Sequence, residues 1–159
     1  MNDYFYDRCY VKLKQKIYNH FLQAINARQE MLQQVLNDLK ESGANETKST
    51  AGDKHETALA MLQIEQANTR GQLQELLLQK AALEKLDPAL AAPVIVNGSL
   101  IKTSRGYFYM SVAMGKAAVE GIVVIALSPQ SPLGQKLLGL KKGAMVRVND
   151  IEYTIESIE

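Results

Sequence analysis

Two long runs of helical period dominate the first half of the chain. From Tyr4 to Glu41 there is neither Pro nor Gly. Leu13, Ile17, Phe21, Ile25, Leu32, Val35 or Leu36, and Leu39 recur there at the spacing of one helix face. Ser42-Gly43-Ala44-Asn45 follows as a stop, with Gly43 suited to a left-handed cap. The second run, Asp53 to Leu86, places Leu59, Leu62, Gln66, Thr69, Leu73, Leu76, Lys80 and Leu83 at alternating steps of three and four, a coiled-coil seam. Gln66, Thr69 and Lys80 weaken that seam, which favours one close-packed partner helix and a monomer over a long oligomeric zipper. Asp87-Pro88 ends the run, because the residue before proline is pushed out of the helical region. Each run spans roughly 50–57 Å at the α-helical rise. Joined by the polar stretch Thr47 to Gly52, the two predict an antiparallel hairpin whose far end reaches beyond a small second domain.

The pattern changes after Ala89-Leu90-Ala91-Ala92-Pro93. Val94–Thr103, Tyr107–Ala113, Gly121–Leu127, Ala144–Val148 and Ile151–Ile158 are rich in Val, Ile and Tyr and read as strands. Asn149-Asp150 suits a tight hairpin turn between the last two. Ser131 as N-cap, Pro132 at the first helical position, Leu133 to Leu138 and a closing Gly139 predict one short helix. The organisation is therefore α+β: a helical coiled-coil hairpin over 1–87, a linker over 88–93, and an antiparallel β-sheet domain with one short helix over 94–159.

Composition narrows the function classes. Apolar residues make up 47% and charged residues 22%, values of a folded chain, and the formal net charge of +1 points to neither nucleic acid nor a membrane surface. No apolar run approaches the length that spans a bilayer, and the first residues lack a signal-peptide core, so a cytoplasmic protein without a membrane partner is expected. The single cysteine, Cys9, forms no intrachain disulfide and reads as a packing residue.

Candidate chemistry concentrates in Gly52-Asp53-Lys54-His55-Glu56. Asp53 and Glu56, three positions apart, share one side of the first turn of the second helix. Two carboxylates there suit a hard cation such as Mg2+, which takes oxygen ligands and often only one or two from a protein. The same spacing makes a capping box, with Asp53 accepting from the amide of residue 56 and Glu56 reaching back. Both readings stand on spacing alone.

The stretch Ser131-Pro132-Leu133-Gly134-Gln135-Lys136-Leu137-Leu138-Gly139-Leu140-Lys141-Lys142-Gly143, followed by a Val-rich hairpin, resembles the C-terminal signature of the bacterial Gre transcript-cleavage factors (Gre A and Gre B). The resemblance covers the whole chain in order and length. The family's tip reads Gly-Asp-Leu-x-Glu-Asn-Ala-Glu-Tyr; Gly52, Asp53, Glu56 and Ala58 match it, with Glu65-Gln66 at the family's distance. Lys54, Thr57, Leu59 and Ala60 depart from it, and Tyr4-Phe5-Tyr6-Asp7 stands where the family carries Thr-x-x-Gly-x-x-x-Leu. The resemblance implies a coiled-coil hairpin with an FKBP-like C-terminal domain. It further implies an accessory factor, not itself an enzyme, whose hairpin enters the secondary channel of RNA polymerase. Asp53 and Glu56 would be the functional acids, sharing a Mg2+ at the polymerase active centre during hydrolysis of backtracked RNA. They would meet the RNA 3′ end only indirectly, by the two-metal chemistry of that centre.

Other residues carry lesser expectations. Lys48 and Lys54 are candidates for contact with RNA phosphate or the channel wall, and Ser131, Pro132 and Leu133 for the grip of the C-terminal domain on the polymerase. His55 reads as an exposed tip residue, and Lys12, Lys14 and Lys16 as a solvated helix face. Tyr4, Phe5, Tyr6 and Tyr10 read as packing residues. Tyr107-Phe108-Tyr109 alternate faces of a strand, one side core and the other open to a partner. Three rival functions remain: a channel-occupying regulator without cleavage, a prolyl isomerase on an FKBP-like fold, and a coiled-coil scaffold.

Overall fold

The computed structural model describes residues 3–46 and 52–159, except for the side chains of residues 3–12, Glu46 and Asp53. The expectations for Thr47 to Ala51, Lys48, and the side chains of Cys9, Lys12, Tyr4, Phe5, Tyr6 and Tyr10 lie outside the described residues. Helix α1 runs Asp3–Glu46 and helix α2 Gly52–Glu84. The stop expected at Gly43 is not one. Helix α1 continues through it to Glu46, at a cost of only about 1 kcal/mol for a helical glycine. Gln66 of α2 holds this turn, its Nε2 donating to the Leu39 carbonyl at 3.3 Å. At the other end α2 stops two residues before Leu86, where the Leu86 amide bonds to Leu83 O at 3.0 Å and the chain turns.

The molecule divides into two compact units, residues 23–80 and residues 1–22 with 81–159. The first is an antiparallel helix pair. Ile25, Leu32 and Leu36 of α1 are buried in it, with Leu62, Leu73 and Leu76 of α2 half-buried. The three polar seam residues each find an acceptor. Gln66 takes the Leu39 carbonyl, Thr69 Oγ1 donates to Glu65 O at 2.8 Å, and Lys80 Nζ donates to Gln29 Oε1 at 3.2 Å. Satisfied in this way, they avoid the penalty of bare polar groups at a helix interface.

The second unit contains a six-stranded sheet: β1 Leu100–Thr103, β2 Gly106–Met110, β3 Gly115–Val119, β4 Ile122–Leu127, β5 Met145–Val148 and β6 Ile151–Ile158, in the order β3-β4-β2-β1-β6-β5. All pairs are antiparallel except β2–β4, which run parallel with β3 returning along the outside of β4. The expected first strand is shorter than its apolar run. Only Val94 forms a bridge, to Lys141, before β1 begins at Leu100. Strand β3 is the one the sequence does not announce. Gly-Lys-Ala-Ala-Val has little β-propensity, and the strand exists by pairing with β4 through a tight turn at Glu120 (φ 52°) and Gly121 (φ 75°). The Asn149-Asp150 turn forms as expected, with φ of 50° and 64°.

Register places Ile101, Phe108 and Ile125 in one row across β1, β2 and β4, and Leu100, Tyr109 and Ala126 in the row on the opposite face. The first row belongs to a core with Ile95, Met110, Leu137 and Ile155, closed by helix α3 (Pro132–Leu137). The second row is equally buried. Phe21 of α1 stacks on Tyr109 with centroids 6.3 Å apart and rings within 15° of parallel. The expected open partner face at Tyr109 is therefore covered by the first half of α1.

Lys14 also departs from expectation. It is buried rather than solvated, and its Nζ donates to Leu90 O at 2.6 Å, pinning the linker to α1. Burial lowers its pKa more than the charges of Glu159 and Asp87 raise it. The neighbouring Lys16 is solvated and pairs with Glu120 at 3.0 Å. Among the described residues no helix is long and apolar enough to cross a membrane.

Candidate functional site at the head of helix α2

Helix α2 begins at Gly52, so Asp53 is its second residue. The two acids stand in the first turns of the helix, one helical step of three apart, at the positive end of its dipole, a position open to both a capping and a ligand role. The Glu56 side chain is exposed and so is that of Lys54. The Asp53 side chain lies outside the described residues, as does Lys48.

His55 extends the α2 seam by one step below Leu59 and is half-buried, not an exposed tip residue. It faces the side of the helix that carries Leu62 and Gln66, whereas Glu56 is open to solvent. Thr57 is exposed, and Ala58 and Leu59 are half-buried. Among the described residues no three His, Cys, Asp or Glu lie close enough together to hold a metal ion as a group. The donor set of this turn is thus two carboxylates of hard-oxygen type, which suit Mg2+ as partial ligands and leave its remaining positions to other molecules.

The C-terminal candidates have work within the fold. Ser131 caps α3: its Oγ accepts from the Gly134 amide at 3.0 Å and donates to Ser128 O at 2.7 Å. Pro132 opens the helix and is exposed, while Leu133 packs against the sheet core. Gly134 sits so close to this loop that a Cβ would run into Ser128 O, which explains the glycine without any unusual backbone angle. Next to α3 a shallow groove of about 540 Å3 lies between Val94–Asn97, Pro129–Gln130 and Leu138–Gly139. Neither an aromatic nor a titratable side chain lines it, so it offers no wall for a prolyl ring and no acid–base group.

Two residues that matter here escape a reading by strands and helices alone. Lys14 and Tyr109 tie the first half of α1 to the linker and the sheet. A signal existed for the first, since residues 14, 17, 18, 21 and 25 lie along one helical stripe. No protein-family model, no curated protein and no solved structure matches the chain.

Proposed function

We propose that this protein is a Gre-type accessory factor of RNA polymerase. Its helix pair enters the secondary channel and presents Asp53 and Glu56 to the active centre, where backtracked RNA is hydrolysed. The observation that carries the reading is the acid pair itself: two carboxylate residues one helical step apart at the head of α2, with Glu56 open to solvent. The whole-chain resemblance supplies the rest.

In this mechanism Asp53 and Glu56 contribute oxygen ligands to a Mg2+ shared with the polymerase. When bound, the ion makes a water more acidic and offsets charge on the reacting phosphate. The helix holds the two acids at a set separation, so they arrive together. The dipole of α2 favours negative charge at this end and supports both carboxylates. Lys54, exposed between them, is placed to meet RNA phosphate.

A second reading keeps the insertion and removes the cleavage. It rests on the same Lys54, a cation beside the acids where the family carries leucine. Cleavage of 3′-extended RNA in backtracked complexes, with the organism's own polymerase and Mg2+, separates the two. Stimulation by the wild type that Asp53→Asn/Glu56→Gln abolishes supports the factor. Polymerase binding without stimulation supports the channel-occupying regulator, and absence of binding removes both.

A further inference from the structure

Strand β5 is an edge of the sheet, bonded to β6 on one side only. The bonds of β6 show which β5 groups that pairing uses. Thr154 turns away from β5: its carbonyl accepts from the Ser104 amide at 3.0 Å, and its amide donates to Ser104 Oγ at 3.0 Å. Ile155 turns the other way, its amide donating to Ala144 O and its carbonyl accepting from the Gly143 amide. Alternation along the strand then sends Tyr153 and Ile151 towards β5, where they face Val146 and Val148. The amides and carbonyls of Met145 and Arg147 therefore point outward from the sheet. Among the described residues one bond reaches these four groups: Lys136 Nζ of α3 donates to Arg147 O at 2.9 Å.

We infer that this edge takes an extended acidic segment of a partner protein as a seventh strand. Charge selects the occupant. Between Glu120 and Asp150 the chain carries Lys136, Lys141, Lys142 and Arg147 and no acid, and all four cations are exposed. Lys141 and Lys142 stand just before β5, and Lys136 and Arg147 near its end. Asp150, paired with Arg147 at 3.2 Å, and Glu152, opposite it on β6, offset that one cation. Among the described residues Lys136, Lys141 and Lys142 have no acid at ion-pair distance. A second copy is a poor occupant, because edge-to-edge pairing would set these cations against their own kind. Nucleic acid fits less well than a peptide. A phosphate has no donor for the Met145 carbonyl, and the aromatic residue of this hairpin, Tyr153, is half-buried with its ring edge-on to Phe108.

The incoming strand takes the amides of Met145 and Arg147 and the Met145 carbonyl directly. At Arg147 O its own amide replaces Lys136 Nζ, and the ammonium so released pairs with a carboxylate of the segment. Met145, 61% exposed, sets an apolar side chain beside the new strand. β5 is about 14 Å long, so acids four positions apart on the segment reach Lys136 at one end and Lys141 or Lys142 at the other. So short a strand binds weakly, with a Kd of roughly 0.1–1 mM. The inference stands apart from the polymerase reading, since it uses no channel, metal or RNA.

The probe is a heptapeptide of alternating Glu and Val with blocked ends, titrated into the full chain to about 3 mM and followed by 1H–15N NMR. Saturable shifts centred on Met145 and Arg147 are expected. Amide exchange at those two positions should slow, while Val146 and Val148, already bonded to β6, keep theirs. A peptide with Pro for its central Val keeps the charge and blocks main-chain pairing, so it should bind about tenfold more weakly or worse. Lys141→Glu/Lys142→Glu, at exposed positions, should weaken binding of the first peptide about tenfold with the rest of the spectrum unchanged. No shifts at about 3 mM would deny the site. Equal binding of the Pro peptide would reduce it to charge attraction, and tighter binding of an octa-uridylate would make it a nucleic-acid surface; each result overturns the proposal. None of these readouts involves cleavage, so they are indifferent to failure of the polymerase reading.

Discussion

Tyr109→Phe is expected to make the protein more stable. The side chain is fully buried, stacked on Phe21, and its hydroxyl has no hydrogen-bond partner among the described residues. An unpaired buried hydroxyl costs about 1–3 kcal/mol of desolvation. Deleting it leaves a gap of about one oxygen atom, roughly 10 Å3, worth only about 0.2 kcal/mol at the usual cavity coefficient. The net gain is about 1–2 kcal/mol, or roughly 2–8 °C in Tm for a chain of this size. Alkaline pH gives a second signature. Burial pushes the phenol pKa far above its ordinary 10.0, with Tyr18 adding to the rise. In the unfolded chain the phenol ionises from pH 10 upward, whereas the folded protein keeps the proton. Stability contributed by this group is therefore full below pH 10 and lost above it, by about 1.4 kcal/mol per pH unit. The Phe variant lacks that loss. Urea titrations followed by near-UV circular dichroism, at pH 7 and at several values above 10, read both effects. A Phe variant less stable than wild type at pH 7 would refute the reasoning, because it would mean the hydroxyl has a partner.

Three further outcomes follow from the same unit. Phe21→Ala, at a buried position stacked on Tyr109, should cost about 3–5 kcal/mol by urea denaturation while leaving the buried pair Leu32 and Leu36 of the other unit in place. A two-step transition by amide hydrogen exchange would report that independence; uniform loss of protection would deny it. Gly134→Ala should cost about 1–3 kcal/mol, since the added methyl meets the Ser128 carbonyl and α3 must shift. An unchanged Tm would show that this loop yields freely. Lys14→Met should be neutral or stabilising by up to about 1 kcal/mol at pH 7, as a buried cation gives way to an apolar chain of similar shape. Because the folded pKa of Lys14 is lowered, the unfolded state holds more protons between that value and 10.5, so wild-type stability rises with pH across that window. The Met variant should lack this rise, and a loss above about 2 kcal/mol at pH 7 would show that the bond to Leu90 outweighs the buried charge.

Local sequence signals located the elements that depend on local chemistry. The helical runs, the α3 cap and the Asn149-Asp150 turn are written in period, proline position and turn residues, and all three formed. Signals that depend on distant partners were weaker. Gly43 looked like a stop, but Gln66 reaches across and the helix runs on. β3 has the composition of a loop and becomes a strand only because β4 lies beside it. Lys14 was read by its charge, although its position on a stripe with Ile17 and Phe21 decides its burial. At the candidate site, spacing alone favours a cap over a ligand pair for Asp53 and Glu56, and the head of α2 suits both roles.

The strand order bears on how the protein is made. β1 lies in the middle of the sheet between β2 and β6, and β6 is synthesised after the other five strands. While β6 is still in the ribosome, one edge of β1 has bare amides and carbonyls, and the sheet is open at its centre rather than at its rim. Phe21 meanwhile waits for Tyr109, far along the chain. Residues 23–80, whose contacts close on themselves, can pair as soon as α2 emerges. The nascent chain therefore passes through a stage with a finished helix pair and an unfinished sheet, when the exposed face of β1 is open to mispairing with a neighbouring chain.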